Sequence, residues 1–331
     1  MRVDEEDAGQ RLDNFLLRQL KGVPKTHVYR IIRSGEVRIN KGRASADTRV
    51  VAGDLVRLPP VRVSERVAEK TQAMADQVAR GAPAREFAVL LEDEHLLAID
   101  KPAGVAVHGG SGVSFGVIEQ LRMARPQARF LELVHRLDRD TSGILLIAKK
   151  RSALKHLQDQ FRERVTGKTY LALVAGRWPA NKKVLVKPLH KYLLADGERR
   201  VKVVSKDDPD GMPSVTLVKV AQRLACTLTS AKDIPLELTL LEVTLKTGRT
   251  HQIRVHLASE GHPILGDDKY GDFELNKALQ RPAALPALKR MFLHAWRLQF
   301  NHPASGERVE LLTELPPELE AFVTHAASSP S

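Results

Sequence analysis

Seven apolar runs between residues 86 and 325 read as strands and only two stretches carry helical spacing, an imbalance that constrains the fold more than any other feature of this 331-residue chain. The strand-like runs are FAVLLEDEHLLAIDKP, GILLIAKK, KTYLALVAG, VTLVKV, LELTLLEVTLKTG, HQIRVHLA and MFLHAWRLQF; the helical ones are VIEQLRMA and SALKHLQDQFRER. Crossover helices of a doubly wound sheet must alternate with strands one for one, and these do not. The pattern predicts an α+β fold with a mixed, largely antiparallel sheet. Turn signals separate the runs at Lys101-Pro102, at Gly109-Gly110, and where Gly266 and Gly271 bracket Asp267 and Asp268.

A smaller unit precedes this region. The chain holds 52 Lys and Arg against 40 Asp and Glu, a net charge of +12, and the excess is concentrated: twelve basic and four acidic residues lie between Ala8 and Arg62. Such a concentration points to a polyanion as partner. Leu12, Phe15, Leu16 and Leu20 share one helical face and Val28, Ile31 and Ile32 another, with Thr26 placed to cap the second helix and Gly35 to end it. Val37 and Ile39 then alternate with Arg38, Lys41-Gly42 reads as a turn, and Val50, Val51, Leu55 and Val56 flank Gly53-Asp54 as a hairpin. The expected organisation is a basic domain over 8–65, a linker over 66–85 without a sustained apolar face, and a larger domain over 86–325.

Several classes fall away. No run approaches the roughly 18 apolar residues of a membrane helix, and the acidic start MRVDEEDAGQ is unlike a signal peptide, so a cytoplasmic protein with no membrane partner is expected. Cys226 stands alone, which excludes an internal disulfide and a CxxC zinc knuckle. His251 and His256 fit neither HExxH nor one strand face, so no metal is expected. His108-Gly109-Gly110-Ser111-Gly112 suggests an anion-binding turn but lacks the GxxxxGK[ST] pattern, so no nucleotide cofactor is expected.

Two clusters carry chemistry. His135-Arg136-Leu137-Asp138-Arg139-Asp140-Thr141-Ser142-Gly143 lies between two apolar runs, and a plain turn needs an Asx residue and a glycine, not two arginines, two aspartates and a histidine. Lys246 to His256 is the second. If Gln252–His256 is a strand, Gln252, Arg254 and His256 share a face, Arg254 turns towards a cleft or solvent, and an Asp138–Arg254 pair with two parallel hydrogen bonds follows as an expectation.

The helix, helix, hairpin order with RLDNFL and SGEVRIN resembles the S4 RNA-binding domain. HRLDRDTSG at 135–143, GKTYLALVAG at 167–176, TGRTHQIRVHL at 247–257 and the later GHPILGDDKYG resemble the RluA-type pseudouridine synthases, with KPAGVAVHGGSG, SFGVIEQLR and RFLELVHRLDRDTSG closest to the branch acting on large-subunit ribosomal RNA. That likeness extends from Arg11 to about Pro303. It implies an isomerase that converts uridines of 23S ribosomal RNA to pseudouridine, with Asp138 as the indispensable group, Tyr170 as the motif tyrosine, and Arg254 as the QIR arginine. It also implies RNA contacts from Lys21, Lys25, Arg30 and Arg33 in the first domain and from Arg136, Arg139 and Arg249 in the second. The reaction has no net redox change or hydrolysis, so no cofactor is expected, and a monomer is the expected state. The chain departs from the family at Gly211-Met212-Pro213-Ser214, where a lysine would follow the glycine, which touches a peripheral RNA contact. The same reaction on another ribosomal or transfer RNA, or a ribosome assembly factor without chemistry, stays open at this point.

Overall fold

A computed structural model describes all residues except 5–6, 21–22, 61–83, 110–114, 196, 229–233, 282–285 and 329–331. In chain order the elements are α1 (Leu12–Gln19), α2 (Lys25–Arg33), β1 (Arg38–Ile39), β2 (Gly42–Arg43), β3 (Val56–Arg57), β4 (Ala88–Glu92), β5 (Leu96–Lys101), α3 (Val117–Ala124), β6 (Glu132–Leu133), β7 (Ser142–Ala148), α4 (Arg151–Glu163) and β8 (Gly167–Ala175). They continue with β9 (Val184–Val186), β10 (Leu189–Leu193), β11 (Arg199–Val203), β12 (Val215–Leu228), β13 (Ile234–Leu245), α5 (Gln252–Ser259), α6 (Phe273–Leu279), β14 (Leu293–Asn301), β15 (Arg308–Leu312) and α7 (Pro317–Ser328).

The first domain has its own core, in which Leu12, Phe15 and Leu16 of α1 meet Val28, Ile31 and Ile32 of α2, with Val37, Val50 and Val56 closing the far side. Three local expectations are corrected. Helix α2 begins at Lys25 with Pro24 in the cap position, its backbone still non-helical (φ −56°, ψ 137°), so Thr26 lies inside the first turn and makes no cap. The tight turn is Asn40-Lys41, both left-handed (φ 49° and 69°), which lets Ile39 pair with Gly42 as a two-residue hairpin requires. Val50 and Val51 do not pair with Leu55 and Val56. Val56 instead pairs with Ile39, and Val50 exchanges hydrogen bonds with Gly9 and Gln10, which places Val50 and Val56 in the small core and leaves Val51 and Leu55 exposed.

In the second domain a ten-stranded sheet runs β4-β5-β7-β14-β8-β13-β12-β9, with β15 on β14 and β6 on β7, and β10-β11 form a separate ribbon. Among the described strands only β7 and β14 pair in parallel. The expected α+β class with a mixed, largely antiparallel sheet is therefore observed. Strand β7 is buried along its whole length, which is why it reads as a continuous apolar run, and Leu145 and Ile147 face one core cluster while Ile144 and Leu146 face another. A buried aliphatic side chain of this kind contributes roughly 1.5–3 kcal/mol.

The run HQIRVHLA is helix, not strand. Its alternation of polar and apolar residues misleads because Gln252 to Leu257 are all buried, so no solvent face marks the true period. Ile253 and Leu257, four apart, enter the main core, and Val255 packs with Leu189 and Val201. The expected linker lies mostly outside the described residues.

Candidate active site

The polar segment 135–141 joins β6 to β7 and is held from several sides. His135 is structural: its ring stacks on Phe161 at 4.8 Å, its Nε2 accepts from the Leu146 amide at 3.1 Å, and burial pushes its pKa down to about 3. Lys101, fully buried, donates to the carbonyls of Pro102, Val105 and Arg139, while the Gly104 amide donates to the same Arg139 carbonyl. Gly143 has φ +110°, and a Cβ there would lie 2.3 Å from the Ala295 carbonyl, so only glycine lets β7 approach β14 closely behind the loop. The loop is pinned at both ends, leaving Asp138 between them.

Asp138, Tyr170 and Arg254 line one cleft of about 230 Å³, together with Arg136, Lys168, Arg249 and His251. Tyr170 comes from β8, opposite Val243 of β13, and burial, with the Asp138 charge adding to it, raises its phenol above the ordinary range. Arg254 comes from α5. The expected fork between Arg254 and Asp138 is not what forms. Arg254 donates Nε to Asp267 Oδ2 at 2.7 Å and Nη2 to Asp267 Oδ1 at 2.6 Å, reaches Asp268 at 3.1 Å, and meets Asp138 Oδ2 through Nη1 at 3.5 Å. The physical reason is burial: a cation only 3% exposed needs a full carboxylate partner, and Asp267 at 1% is equally buried whereas Asp138 opens to the cleft. Burial alone lowers the guanidinium pKa, and the surrounding Asp267, Asp138 and Asp268 more than reverse it. Asp267, despite burial, is held below the usual carboxylate range by Arg254 and by the Lys269 and Tyr270 amides.

The TGRTHQIR stretch becomes intelligible through Gln252. Its amide oxygen accepts from Thr247 and from the Arg249 amide, and its nitrogen donates to the Val215 carbonyl and Thr216, so one buried side chain satisfies all its polar atoms while fastening the loop to β12. Arg249 itself donates to the Pro213 carbonyl at 3.3 Å at the cleft edge.

The remaining expected residues separate. Arg136 is exposed in the cleft wall, whereas Arg139 pairs with Asp140 and lines a neighbouring cavity of about 800 Å³. Lys25, Arg30 and Arg33 are exposed on α2 in the first domain, Arg30 lying 3.7 Å from Glu36; Lys21 lies outside the described residues. The described part of the expected anion-binding turn is already served by the protein's own acid, since Glu119 accepts from the Gly109 and Gly116 amides. Residues 110–112 lie outside the description. Met212 bridges to Leu189 as backbone, and the adjoining Ser214 is buried against His256.

Sequence reasoning missed Asp267 as the partner of Arg254, along with Lys168, His251 and Tyr270. The signal for Asp267 was present: two aspartates between glycines in GHPILGDDKYG. Gly266 has φ +74° and its Cβ would meet the Arg290 carbonyl at 2.1 Å, so the glycine marks a backbone forced close in order to aim the carboxylate inward.

The RNA pseudouridylate synthase profile matches residues 95–259 and the S4 domain profile residues 10–56. The ribosomal large subunit pseudouridine synthase C proteins of Salmonella typhimurium and Escherichia coli (strain K12) are each 52% identical over 92% of this chain and 89% of their own length. That of Yersinia pestis is 50% identical over 96% and 92%. Among solved structures, human RNA pseudouridylate synthase domain containing 1 is similar with a TM-score of 0.57 at 25% identity, covering 73% of this chain and 90% of that one. Human RNA pseudouridylate synthase domain containing 4 gives 0.56 at 25% identity over 78% and 97%. No helix among the described residues is long and apolar enough to cross a membrane. Sharing about half of its residues with such relatives over nearly its whole length, the chain belongs to the RNA pseudouridylate synthase family and is an isomerase that takes RNA as its partner.

Proposed function

We propose that the protein converts uridines of 23S ribosomal RNA to pseudouridine, acting in the cytoplasm as a monomer without a cofactor, with Asp138 as the essential catalytic group. The observation that carries this reading is the meeting of Asp138, Tyr170 and Arg254 in one cleft from three separate stretches of sequence. The relatives of Salmonella typhimurium and Escherichia coli, named as synthases of the ribosomal large subunit, support the choice of RNA.

In this reading the C1′–N1 bond breaks, the base turns, C5 bonds to C1′, the C5 proton leaves and N1 gains one. Asp138 drives the first step as a carboxylate, attacking C1′ or taking the C2′ proton. Its Oδ2 faces Arg254, and among the described residues Oδ1 makes no hydrogen bond, which leaves that oxygen for the ribose. Arg254, fixed by Asp267, keeps a positive charge beside the carboxylate. The buried Tyr170 ring offers a stacking face for the base, with its hydroxyl protonated in the free protein. The target must leave its stack to reach such a cleft.

The domain division is proposed as 8–65 for RNA binding, 66–85 as linker and 86–325 for catalysis. Lys21, Lys25, Arg30 and Arg33 are assigned to phosphate contacts in the first, and Arg136, Arg139 and Arg249 to the RNA around the cleft in the second. Carbodiimide mapping of 23S ribosomal RNA from cells lacking the protein should show specific pseudouridine stops vanish, to return with the parent gene and not with Asp138→Asn. An unchanged pattern would reject the proposed substrate.

A further inference from the structure

His251 is a residue in this cleft that the mechanism above leaves unused, and its backbone is unusual. It precedes α5 in the left-handed region at φ +51°, one of only four non-glycine residues with positive φ among those described. Such a conformation is strained for a residue with a Cβ and persists where surrounding contacts over-determine it. The contact that does so is Tyr270, whose hydroxyl lies 2.8 Å from His251 Nδ1, with the two rings edge to face at 5.6 Å.

The hydrogen bonding around that hydroxyl points to one tautomer. Tyr270 accepts from the Val201 amide at 3.0 Å, and among the described residues His251 Nδ1 is the group placed to take the hydroxyl's own hydrogen. With that hydrogen donated, Nδ1 carries the lone pair and Nε2 the proton. Nε2 is the atom turned to Asp138, 3.9 Å from Oδ2, the same oxygen that Arg254 approaches at 3.5 Å. The charges facing the imidazole are Asp138, Asp267, Arg254 and Lys269, and burial, the largest influence, lowers its pKa and keeps the ring neutral.

We propose that His251 is a positioning residue for the isomerisation: with Tyr270 holding its tautomer, its Nε2–H donates to Oδ2 of Asp138 when substrate closes the cleft, so that Arg254 and His251 together fix one carboxylate oxygen and leave the other to the ribose. The proposal requires the 3.9 Å separation to shorten, as catalytic hydrogen bonds often do in the substrate complex. A neutral donor suits the place: it orients the carboxylate without adding a second full charge beside Arg254. The proposal rests on the assignment of Asp138 as the catalytic group.

The test uses the full chain and a 23S ribosomal RNA fragment carrying the target uridine. Asn tolerates the left-handed backbone and can meet Tyr270, but its amide ends short of the Nε2 position. His251→Asn should lower kcat on the order of 10- to 100-fold with KM within about twofold, the range expected when an oriented catalytic group loses its aim. His251→Gln, whose amide reaches further, should recover part of kcat, and Tyr270→Phe, which leaves the imidazole in place, should fall between parent and His251→Asn. A kcat within twofold of the parent overturns the proposal, as does a change confined to KM. Asp138→Asn assayed alongside separates the two ideas: if it stays active, the Asp138 assignment itself fails; if it is inactive while His251→Asn matches the parent, the His251 role alone fails. Should His251→Asn unfold by thermal denaturation, Tyr270→Phe decides by the same criteria.

Discussion

Arg254 grips Asp267 through two hydrogen bonds of 2.7 and 2.6 Å and keeps one nitrogen 3.5 Å from Asp138, so the buried arginine is anchored behind the cleft and presents its charge to the carboxylate in front. A guanidinium can do both at once because its nitrogens form a rigid planar fork. Asp267 is in turn held by the Lys269 and Tyr270 amides, which makes the loop after α5, not the 135–141 loop, the source of Arg254's orientation.

Asp138→Asn removes the charge and changes little else in shape. The variant should fold, bind RNA and make no pseudouridine above background, measured by carbodiimide stops on the RNA fragment. Parent-like activity would remove Asp138 from the mechanism.

Arg254→Lys should lose turnover heavily although the charge is kept, since lysine offers one compact ammonium where the structure uses separate nitrogens for Asp267, Asp268 and Asp138. Turnover should fall on the order of a hundredfold with little change in RNA affinity. Near-normal turnover with weakened RNA binding would place Arg254 in RNA recognition instead.

Asp267→Asn should destabilise the protein by about 3–5 kcal/mol at pH 7, the cost of taking one charge from a buried pair. The pH dependence has a definite sign. Asp267 is held below its unfolded value of about 3.9, so its stabilisation is present above that pH and is lost as pH falls through the lower folded pKa. Urea unfolding between pH 7 and 3 should show the parent losing stability at the acid end and the variant losing less. Parallel curves would mean that the pair contributes no such linkage.

Lys25→Ala, Arg30→Ala and Arg33→Ala combined remove three exposed cations from α2 without touching the Val28, Ile31 and Ile32 core. The slope of log affinity against log salt should flatten by as much as about 2.7, at roughly 0.9 for each lost duplex phosphate contact. An unchanged slope would show that this face does not meet the RNA.

Gly266→Ala should fail for two reasons together, a left-handed φ of +74° and a Cβ placed 2.1 Å from the Arg290 carbonyl. Strain of about 1–3 kcal/mol and displacement of the Asp267 loop are expected, seen as a lower melting temperature and lost turnover.

The sequence alone was enough for the α+β class, the S4-type unit near the start of the chain and the singling out of the polar loop that carries Asp138, because each is written in local pattern. Apolar runs mark buried strands, a cluster of charges marks a small domain, and polar residues between two apolar runs mark a loop that packing does not explain. Tertiary structure decided what depends on burial from several sides. Gln252 to Leu257 alternate like a strand and form a helix, since every side of α5 is covered and the alternation carries no information about a solvent face. Arg254 takes Asp267 rather than Asp138 because a buried cation pairs with the carboxylate that is buried with it, and which of three nearby aspartates that is depends on how the Gly266–Gly271 loop folds back over the helix. Burial is a property of the whole packed chain, so no window of sequence contains it.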